Sequence, residues 1–279
     1  MEFTSADGPS KYEALVAVAS DTVVALDFDG TLAPIVDDPE KARIHPDAGE
    51  VLADLAEHVA AVAVVTGRPV RQVLDLGGLE EVGDALMAAG KQLYVFGQYG
   101  NQRWTATRRA VIGPRPPAGL ASFMRELPRA LRDADAAEAW VEDKGLALAI
   151  HTRRMSDPAG AYSRLLPVLR RMAQGNNLML EPGRNVLEVR SPGMNKGVVV
   201  DKLVEELGAK GFVFAGDDLG DVEAFESVAA RGKDGMSTLL VCSASDEESA
   251  LMPLADVVVP GPDGVLGFLR QFSVDVTAS

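Results

Sequence analysis

Short aliphatic segments alternate with stretches of helical period along much of the chain, and several of these segments end in a polar cluster. Thr22–Leu26 leads into Asp27-Phe28-Asp29, and residues 59–65 lead into Thr66-Gly67-Arg68. Uniformly apolar strands of this kind are typical of a parallel sheet covered on both faces by helices. The alternation therefore predicts an α/β fold. Further core strands are predicted at residues 94–96, 212–215, 238–241 and 256–259.

The middle of the chain has a different pattern, which begins after a break rich in glycine and proline at residues 113–117. The elements predicted there are a helix at 117–131, strands at 140–142 and 146–150, a helix at 161–174, and strands at 179–181 and 186–190. Tight turns are predicted at Asp143-Lys144-Gly145 and at Pro182-Gly183. We therefore predict a small α+β domain at residues 104–190, inserted into a core formed by residues 1–103 and 191–279.

Polar side chains follow the predicted core strands at their carboxyl ends. They include Asp27, Asp29, Thr66 and Asp217. Because ligands bind at the carboxyl ends of strands in open parallel sheets, we expect these side chains to share one site. A cluster of carboxylates repels itself in the absence of a cation, and a donor set made only of oxygens suits Mg²⁺. Lys196, expected near the start of a helix that Asn195 caps, would supply a positive charge for an anionic substrate.

The charge and cysteine content exclude several classes of function. The chain has 41 Asp and Glu against 27 Lys and Arg, a formal charge of −14, which disfavours binding to nucleic acid or to membrane surfaces. Its single cysteine, Cys242, excludes an intrachain disulfide and a zinc site built on cysteines. The N-terminus lacks the basic start of a signal peptide. We therefore expect a cytoplasmic protein with a small-molecule substrate and no obligatory protein partner.

Four short motifs, in order along the chain, resemble those of haloacid-dehalogenase-type phosphatases. They are Asp27-Phe28-Asp29-Gly30-Thr31-Leu32, Thr66-Gly67-Arg68, Lys196 before Gly197, and Gly216-Asp217-Asp218-Leu219-Gly220-Asp221. Residues 141–151 and 183–190 further resemble cap segments of the trehalose-6-phosphate phosphatases. The resemblance implies a Rossmann-like, haloacid-dehalogenase-type parallel-sheet core with an inserted α+β cap domain that determines substrate specificity.

For the core motifs, the resemblance implies phosphoryl transfer through an aspartyl phosphate. Asp27 would be the nucleophile, which divides one difficult displacement into two easier ones. Asp29 would be the general acid and base, which protonates the leaving sugar oxygen and later takes a proton from the attacking water. Thr66 and Lys196 would bind the transferring oxygens, where charge stabilisation matters most.

The same resemblance implies a Mg²⁺ cofactor. The carboxylates of Asp27 and Asp217 and the backbone carbonyl of Asp29 would hold the ion. Asp218 and Asp221 would support it through neighbouring or water-mediated contacts.

The resemblance also implies a substrate, trehalose 6-phosphate, whose hydrolysis yields trehalose and phosphate in trehalose biosynthesis. Glu142, Lys144 and Glu181 match cap positions that contact sugar hydroxyls in the family, and charged groups there would make strong hydrogen bonds to a polyol. Arg68 would contact the substrate from the core.

The chain departs from the family pattern at two places. Gly220 and Val222 stand where the fourth motif usually has Thr and Glu. Tyr99 stands in Gly97-Gln98-Tyr99-Gly100 where many relatives have histidine. Both departures concern the sugar pocket more than the phosphoryl chemistry.

Other interpretations remain open from the residues alone. An Asp-x-Asp motif after a strand also occurs at nucleotide-sugar metal sites, Thr66 is a plausible helix N-cap, and His151 and Arg68 are plausible structural residues. Glu142 and Glu181 are also compatible with ordinary turns. Alternative substrates are sucrose phosphate, glycosylglycerate phosphate and a trehalose-like pseudo-sugar phosphate. Alternative classes are a phosphomutase and a non-catalytic sugar-phosphate sensor.

Overall fold

The computed structural model describes residues 2–36, 38–183, 185–193, 195–244 and 251–279. The chain forms two compact units, which we call the core unit (residues 1–113 and 195–279) and the cap unit (residues 114–194). Among the helices of the described ranges, none is both long and apolar enough to span a membrane.

The strands, in chain order, are β1 (Glu2–Phe3), β2 (Thr22–Leu26), β3 (Ala61–Val65), β4 (Leu93–Gly97), β5 (Gln102–Thr105), β6 (Trp140–Asp143), β7 (Ala147–His151), β8 (Met179–Gly183), β9 (Val186–Arg190), β10 (Gly211–Gly216), β11 (Ser237–Ala244) and β12 (Val257–Pro260). The α-helices are α1 (Gly8–Ala17), α2 (Ala48–His58), α3 (Val70–Gly77), α4 (Leu79–Ala88), α5 (Ala118–Asp133), α6 (Pro158–Gly175), α7 (Gly197–Leu207), α8 (Val222–Lys233) and α9 (Gly261–Ala278).

The core unit is built on a sheet with the strand order β1-β12-β11-β10-β2-β3-β4-β5. The strands from β12 to β4 pair in parallel, whereas β1 and β5 pair antiparallel at the two edges. From the central strand β2 the chain builds outward through β3 and β4 on one side, and later through β10 and β11 on the other. This topological switch lies between β2 and β10, and crevices that bind ligands form at the carboxyl ends of the strands beside such a point.

Both faces of the core sheet are buried. Alternate residues of β2 point to opposite faces, so Val24 belongs to an apolar cluster that also contains Leu52 of α2. On the other face, Val23 belongs to a cluster that contains Leu203 of α7 and Phe225 of α8. Two covered faces explain why the strands are uniformly apolar in sequence, and the predicted α/β class is confirmed.

The cap unit has a four-stranded antiparallel sheet in the order β6-β7-β9-β8. One face of this sheet packs against α5 and α6, where Ile150 and Leu187 share an apolar cluster with Phe123 and Leu165. The opposite face carries polar residues at neighbouring register positions, and Glu142 and Glu188 flank Ala149 there. The cap sheet therefore has one apolar face, covered by helices, and one polar face.

The unit boundaries differ from those predicted at residues 104 and 190. Trp104 lies in β5, is 1% exposed, and pairs with Val95 in the core sheet. Residues 104–113 therefore belong to the core unit, because an antiparallel edge strand continues the sheet beyond the last parallel strand.

The second predicted cap turn is also displaced. β8 continues through Pro182 and Gly183, which pair with Leu187 and Val186 of β9. Asn185, with a φ of 54°, belongs to the turn. An edge strand tolerates proline because its outer N–H groups need no partner, so Pro182 does not end the strand.

Candidate active site

The loops after β2 and β10 lie side by side because these strands are neighbours in the sheet. The N–H of Asp27 donates to the carbonyl of Ala215 at 2.9 Å, so Asp27 and Asp217 follow the same edge. Gly30, with a φ of 69°, lies so close to Asp217 that a Cβ atom there would collide with its carboxylate. The close approach of the two loops therefore requires glycine at position 30.

Four aspartates form a compact carboxylate cluster. Asp27, Asp217, Asp218 and Asp221 each contribute an oxygen, and these four oxygens all lie within 4.8 Å of one another. Asp27 and Asp221 are buried, Asp217 is half-buried and Asp218 is exposed. Sequence motifs from two separate parts of the chain thus meet at the carboxyl ends of the central strands β2 and β10.

Lys196 is the buried cation beside this cluster. Its Nζ atom lies 2.8 Å from Asp27 Oδ1 and 2.6 Å from Asp221 Oδ1. The side-chain oxygen of Asn195 accepts from the N–H of Val198 at 3.1 Å, which caps the start of α7. Lys196 directly follows this capping residue and has helical backbone angles, so it lies at the start of α7, as the sequence predicted.

Burial and mutual repulsion raise the pKa values of acids in the cluster. Burial, together with Asp221, raises the pKa of Asp27 well above its ordinary value, although Lys196 opposes this. Burial, followed by the charges of Asp27 and Asp218, raises the pKa of Asp217 to about 10. Burial would lower the pKa of Lys196, but Asp221 and Asp27 outweigh it and raise that pKa. One lysine does not balance four carboxylates, so the oxygen donors fit a divalent cation such as Mg²⁺.

Asp29 also lies at the carboxyl end of β2, where it forms a bidentate ion pair with Arg68. Arg68 donates through Nε and Nη2 to its two carboxylate oxygens, each at 2.7 Å, and through Nη1 to the carbonyl of Pro39 at 2.9 Å. The N–H of Arg68 donates to Thr66 Oγ1 at 3.1 Å. Arg68 thus holds Asp29 and orients Thr66, and its role as a substrate contact stays a prediction.

Two residues that support the site were not predicted from sequence. The hydroxyl of Ser243, at the end of β11, donates to the carbonyl of Gly30 at 2.6 Å and holds the first motif in place. Its position as a buried polar residue at a strand's carboxyl end was the available signal. Tyr99, which stood out only as a departure from the family pattern, lies against Gly67 between Thr66 and Arg68.

The predicted sugar contacts all lie in the cap unit, and each has a polar side-chain partner there. The pairs are Glu142 with His151 at 3.1 Å, Lys144 with Glu188 at 2.6 Å, and Glu181 with Arg190 at 3.0 Å. The ring of His151 also stacks on Trp140, with 4.4 Å between the ring centroids. These contacts hold His151 on the polar face of the cap sheet. The sugar-binding roles of Glu142, Lys144 and Glu181 stay predictions.

Comparison with known proteins supports one family. The profile of the family described as trehalose-phosphatase matches residues 25–88 and 129–257. A probable trehalose-phosphate phosphatase 3 of Oryza sativa subsp. japonica is 29% identical over 274 residues, covering 93% of this chain and 72% of that protein. An uncharacterized glycosyl hydrolase of Mycobacterium tuberculosis is 33% identical over 217 residues, covering 75% of this chain. The chain spans only 15% of the length of that mycobacterial relative.

Solved structures share the fold. The C-terminal domain of the trehalose-6-phosphate phosphatase of C. albicans aligns with a TM-score of 0.76 at 18% identity, covering 98% of both chains. A haloacid dehalogenase-like hydrolase from Bacteroides thetaiotaomicron aligns with a TM-score of 0.62 at 15% identity, covering 90% of this chain and 98% of that one. At these identities the likeness concerns the fold alone.

Proposed function

Because the chain belongs to the trehalose-phosphatase family, we propose that it is a Mg²⁺-dependent phosphatase that hydrolyses trehalose 6-phosphate to trehalose and phosphate. The observation that carries this proposal is the buried Asp27, held beside Lys196 and three further aspartates at the switch point of the sheet. A nucleophile, a buried cation and a set of oxygen donors for a metal ion are the groups that phosphoryl transfer requires.

Asp27 is the proposed nucleophile. One of its oxygens, Oδ1, is paired with Lys196 at 2.8 Å. In the first step a carboxylate oxygen of Asp27 bonds to phosphorus while the bond from phosphorus to the sugar oxygen breaks. In the second step water attacks the aspartyl phosphate, and inorganic phosphate leaves with the carboxylate restored.

Asp29 is the proposed proton donor and acceptor. Protonated, it gives its proton to the departing sugar oxygen, and the resulting carboxylate then takes a proton from the attacking water. Both carboxylate oxygens of Asp29 accept from the fork of Arg68 at 2.7 Å, so one of these hydrogen bonds must open before a proton is transferred. The freed oxygen must then come within hydrogen-bond distance of the reacting oxygen.

Lys196 and Thr66 are the proposed ligands of the transferring oxygens. Thr66 Oγ1 accepts from the N–H of Arg68, which leaves its own hydrogen to donate to a phosphoryl oxygen. Lys196, buried and paired with two carboxylates, offers positive charge that needs no reorganisation during the reaction.

The residues that would hold a Mg²⁺ ion are the carboxylates of Asp27 and Asp217 and the backbone carbonyl of Asp29, with Asp218 and Asp221 in support. When bound, the ion supplies positive charge that lowers the repulsion between the nucleophile and the anionic ester. Burial, followed by the neighbouring carboxylates, raises the pKa of Asp217 to about 10. This supports the assignment, because a divalent cation would stabilise the ionised carboxylates.

Glu142, Lys144 and Glu181 are the proposed contacts to the sugar hydroxyls. All three belong to the cap unit and carry charged groups, and such groups form stronger hydrogen bonds to a polyol than neutral ones. Membership of the trehalose-phosphatase family favours trehalose 6-phosphate over the alternative sugar phosphates. Cytoplasmic location and the absence of an obligatory protein partner stay predictions.

Phosphate release by the purified protein with Mg²⁺ tests the proposal. The panel contains trehalose 6-phosphate, sucrose 6-phosphate, glucose 6-phosphate and a glycosylglycerate phosphate. We expect the highest kcat/KM for trehalose 6-phosphate, and a loss of at least about a hundredfold in the Asp27→Asn variant. A profile led by another ester would overturn the substrate assignment, and an active Asp27→Asn variant would overturn the covalent route.

A further inference from the structure

The loop after β4 has an unusual backbone at the edge of the candidate active site. Gln98 and Tyr99 are consecutive residues other than glycine with positive φ angles of 51° and 55°. Side chains enter this left-handed region at an energetic cost, and such a conformation persists only where surrounding contacts impose it. The contacts that impose it here come from the segment between β3 and α3.

Two backbone hydrogen bonds attach this loop on either side of Gly67. The N–H of Gln98 donates to the carbonyl of Arg68 at 2.9 Å, and the N–H of Tyr99 donates to the carbonyl of Thr66 at 3.0 Å. On its other side the loop meets the first turn of α7, where a Cβ atom on Gly100 would collide with Val199. The loop therefore packs between α7 and the segment that carries Thr66.

The ring of Tyr99 lies directly on Gly67. A Cβ atom on Gly67 would lie only 2.8 Å from both Cζ and the hydroxyl oxygen of Tyr99. The Cε1 atom of the ring is 3.9 Å from the corresponding position on Gly220, in the loop after β10. The ring thus touches the glycine between Thr66 and Arg68 and reaches towards the loop that carries the aspartates.

We propose that Tyr99 is a positioning residue for phosphoryl transfer, acting through Thr66. This inference rests on the proposed phosphatase function. The ring of Tyr99 prevents the Gly67 backbone from moving outward, and glycine has more conformational freedom than other residues. Because the N–H of Arg68 orients Thr66 Oγ1 at 3.1 Å, a shift at Gly67 would disturb both the donor and the acceptor of that hydrogen bond.

Kinetics of Tyr99 variants with trehalose 6-phosphate test this role. We expect Tyr99→Ala to lower kcat about tenfold or more while KM changes by less than about threefold, because misplacement of a catalytic group affects the transition state more than substrate binding. Tyr99→Phe keeps the ring and is expected to stay within about twofold of the wild-type kcat. Tyr99→Asn removes the ring but tolerates positive φ, so it separates the ring's role from backbone strain.

A double-mutant cycle with Thr66→Ala shows whether the effect passes through Thr66. If it does, Tyr99→Ala adds little further loss in the Thr66→Ala background, because the group that the ring positions is already absent. Fully additive losses, or wild-type kcat in Tyr99→Asn, would overturn the inference while the proposed function stands. A wild-type protein that hydrolyses none of the sugar phosphates would overturn both.

Discussion

Gly30 lies where the loops after β2 and β10 come closest. Its φ of 69° already favours glycine, and a Cβ atom would collide with the carboxylate of Asp217. Ser243 holds the carbonyl of this glycine at 2.6 Å, so the backbone has little room to move away. The close approach of the loops after β2 and β10 is therefore possible only because residue 30 has no side chain.

Gly30→Ala is expected to abolish most activity as well as to destabilise the protein. Any residue other than glycine at this φ costs about 1 kcal/mol, and here the collision displaces Asp217 in addition. Gly90→Ala is the matched control, because Gly90 has a φ of 72° and no atom within 4 Å of its added Cβ. Both variants should lower Tm, whereas only Gly30→Ala should lower kcat/KM. Equal activity in the two variants would contradict this account of the loop contact.

Within the cap unit, an ionic contact joins the turn between β6 and β7 to β9. Lys144 Nζ lies 2.6 Å from Glu188 Oε2, and both side chains are largely buried. Glu188 Oε1 is buried without a hydrogen-bond partner among the described residues. We propose a sugar-binding role for Lys144, but this contact also gives it a structural role, because it neutralises Glu188.

Lys144→Met and the double variant Lys144→Met/Glu188→Leu separate these two roles. The single variant leaves the Glu188 charge buried and unpaired, which is expected to cost about 3 kcal/mol, whereas the double variant is expected to recover most of that stability. If Lys144 contacts the sugar, the double variant folds normally but keeps a raised KM for trehalose 6-phosphate. Recovery of wild-type KM together with wild-type Tm would show that Lys144 is structural only.

The first and last helices of the core unit are joined through Tyr12. Its hydroxyl donates to Asp275 Oδ2 at 2.7 Å, and its ring packs edge-on against Phe272 at a centroid distance of 5.9 Å. Burial, with Asp275 adding to it, raises the pKa of Tyr12 above its ordinary value. The hydroxyl therefore stays a donor over the physiological pH range.

Tyr12→Phe is expected to lower the free energy of unfolding by about 1 to 2 kcal/mol, because it removes one hydrogen bond to a charged group and keeps the ring packing. Urea unfolding followed by circular dichroism measures this. Tyr162→Phe serves as the control, because the Tyr162 hydroxyl has no hydrogen-bond partner in the part of the chain that the structure describes. The activity of both variants should equal that of the wild type, and a loss of stability in Tyr162→Phe equal to that in Tyr12→Phe would contradict the argument.

Across the whole molecule, local patterns predicted the α/β core and the convergence of Asp27 and Asp217, because apolar strands with polar ends are visible in short windows of sequence. Contacts between distant segments could not be predicted in this way. The ion pair of Arg68 with Asp29 and the packing of Tyr99 on Gly67 depend on which strands become neighbours. The predicted boundary of the cap unit at residue 104 differs from the observed one for a similar reason. In sequence, β5 could equally begin a new unit, and only its pairing with β4 assigns it to the core sheet.

The two units have separate apolar clusters, and this division predicts which unit Mg²⁺ stabilises. The carboxylate cluster lies entirely in the core unit, whereas the cap sheet has its own core around Phe123 and Leu165. A ligand that binds only the native state stabilises it by about 2.7 kcal/mol at one hundred times its Kd. We expect Mg²⁺ alone to slow amide hydrogen exchange in the core unit and to leave exchange in the cap sheet unchanged.

Hydrogen exchange followed by mass spectrometry, with and without Mg²⁺, measures this difference peptide by peptide. Asp217→Asn is the control, because it removes a negative charge and replaces one carboxylate oxygen with an amide nitrogen, and it should abolish the protection that Mg²⁺ confers on the wild type. Added protection in the cap peptides with Mg²⁺ alone would mean that the two units unfold as one cooperative block. Protection that persists in Asp217→Asn would instead place the metal ion away from the aspartate cluster.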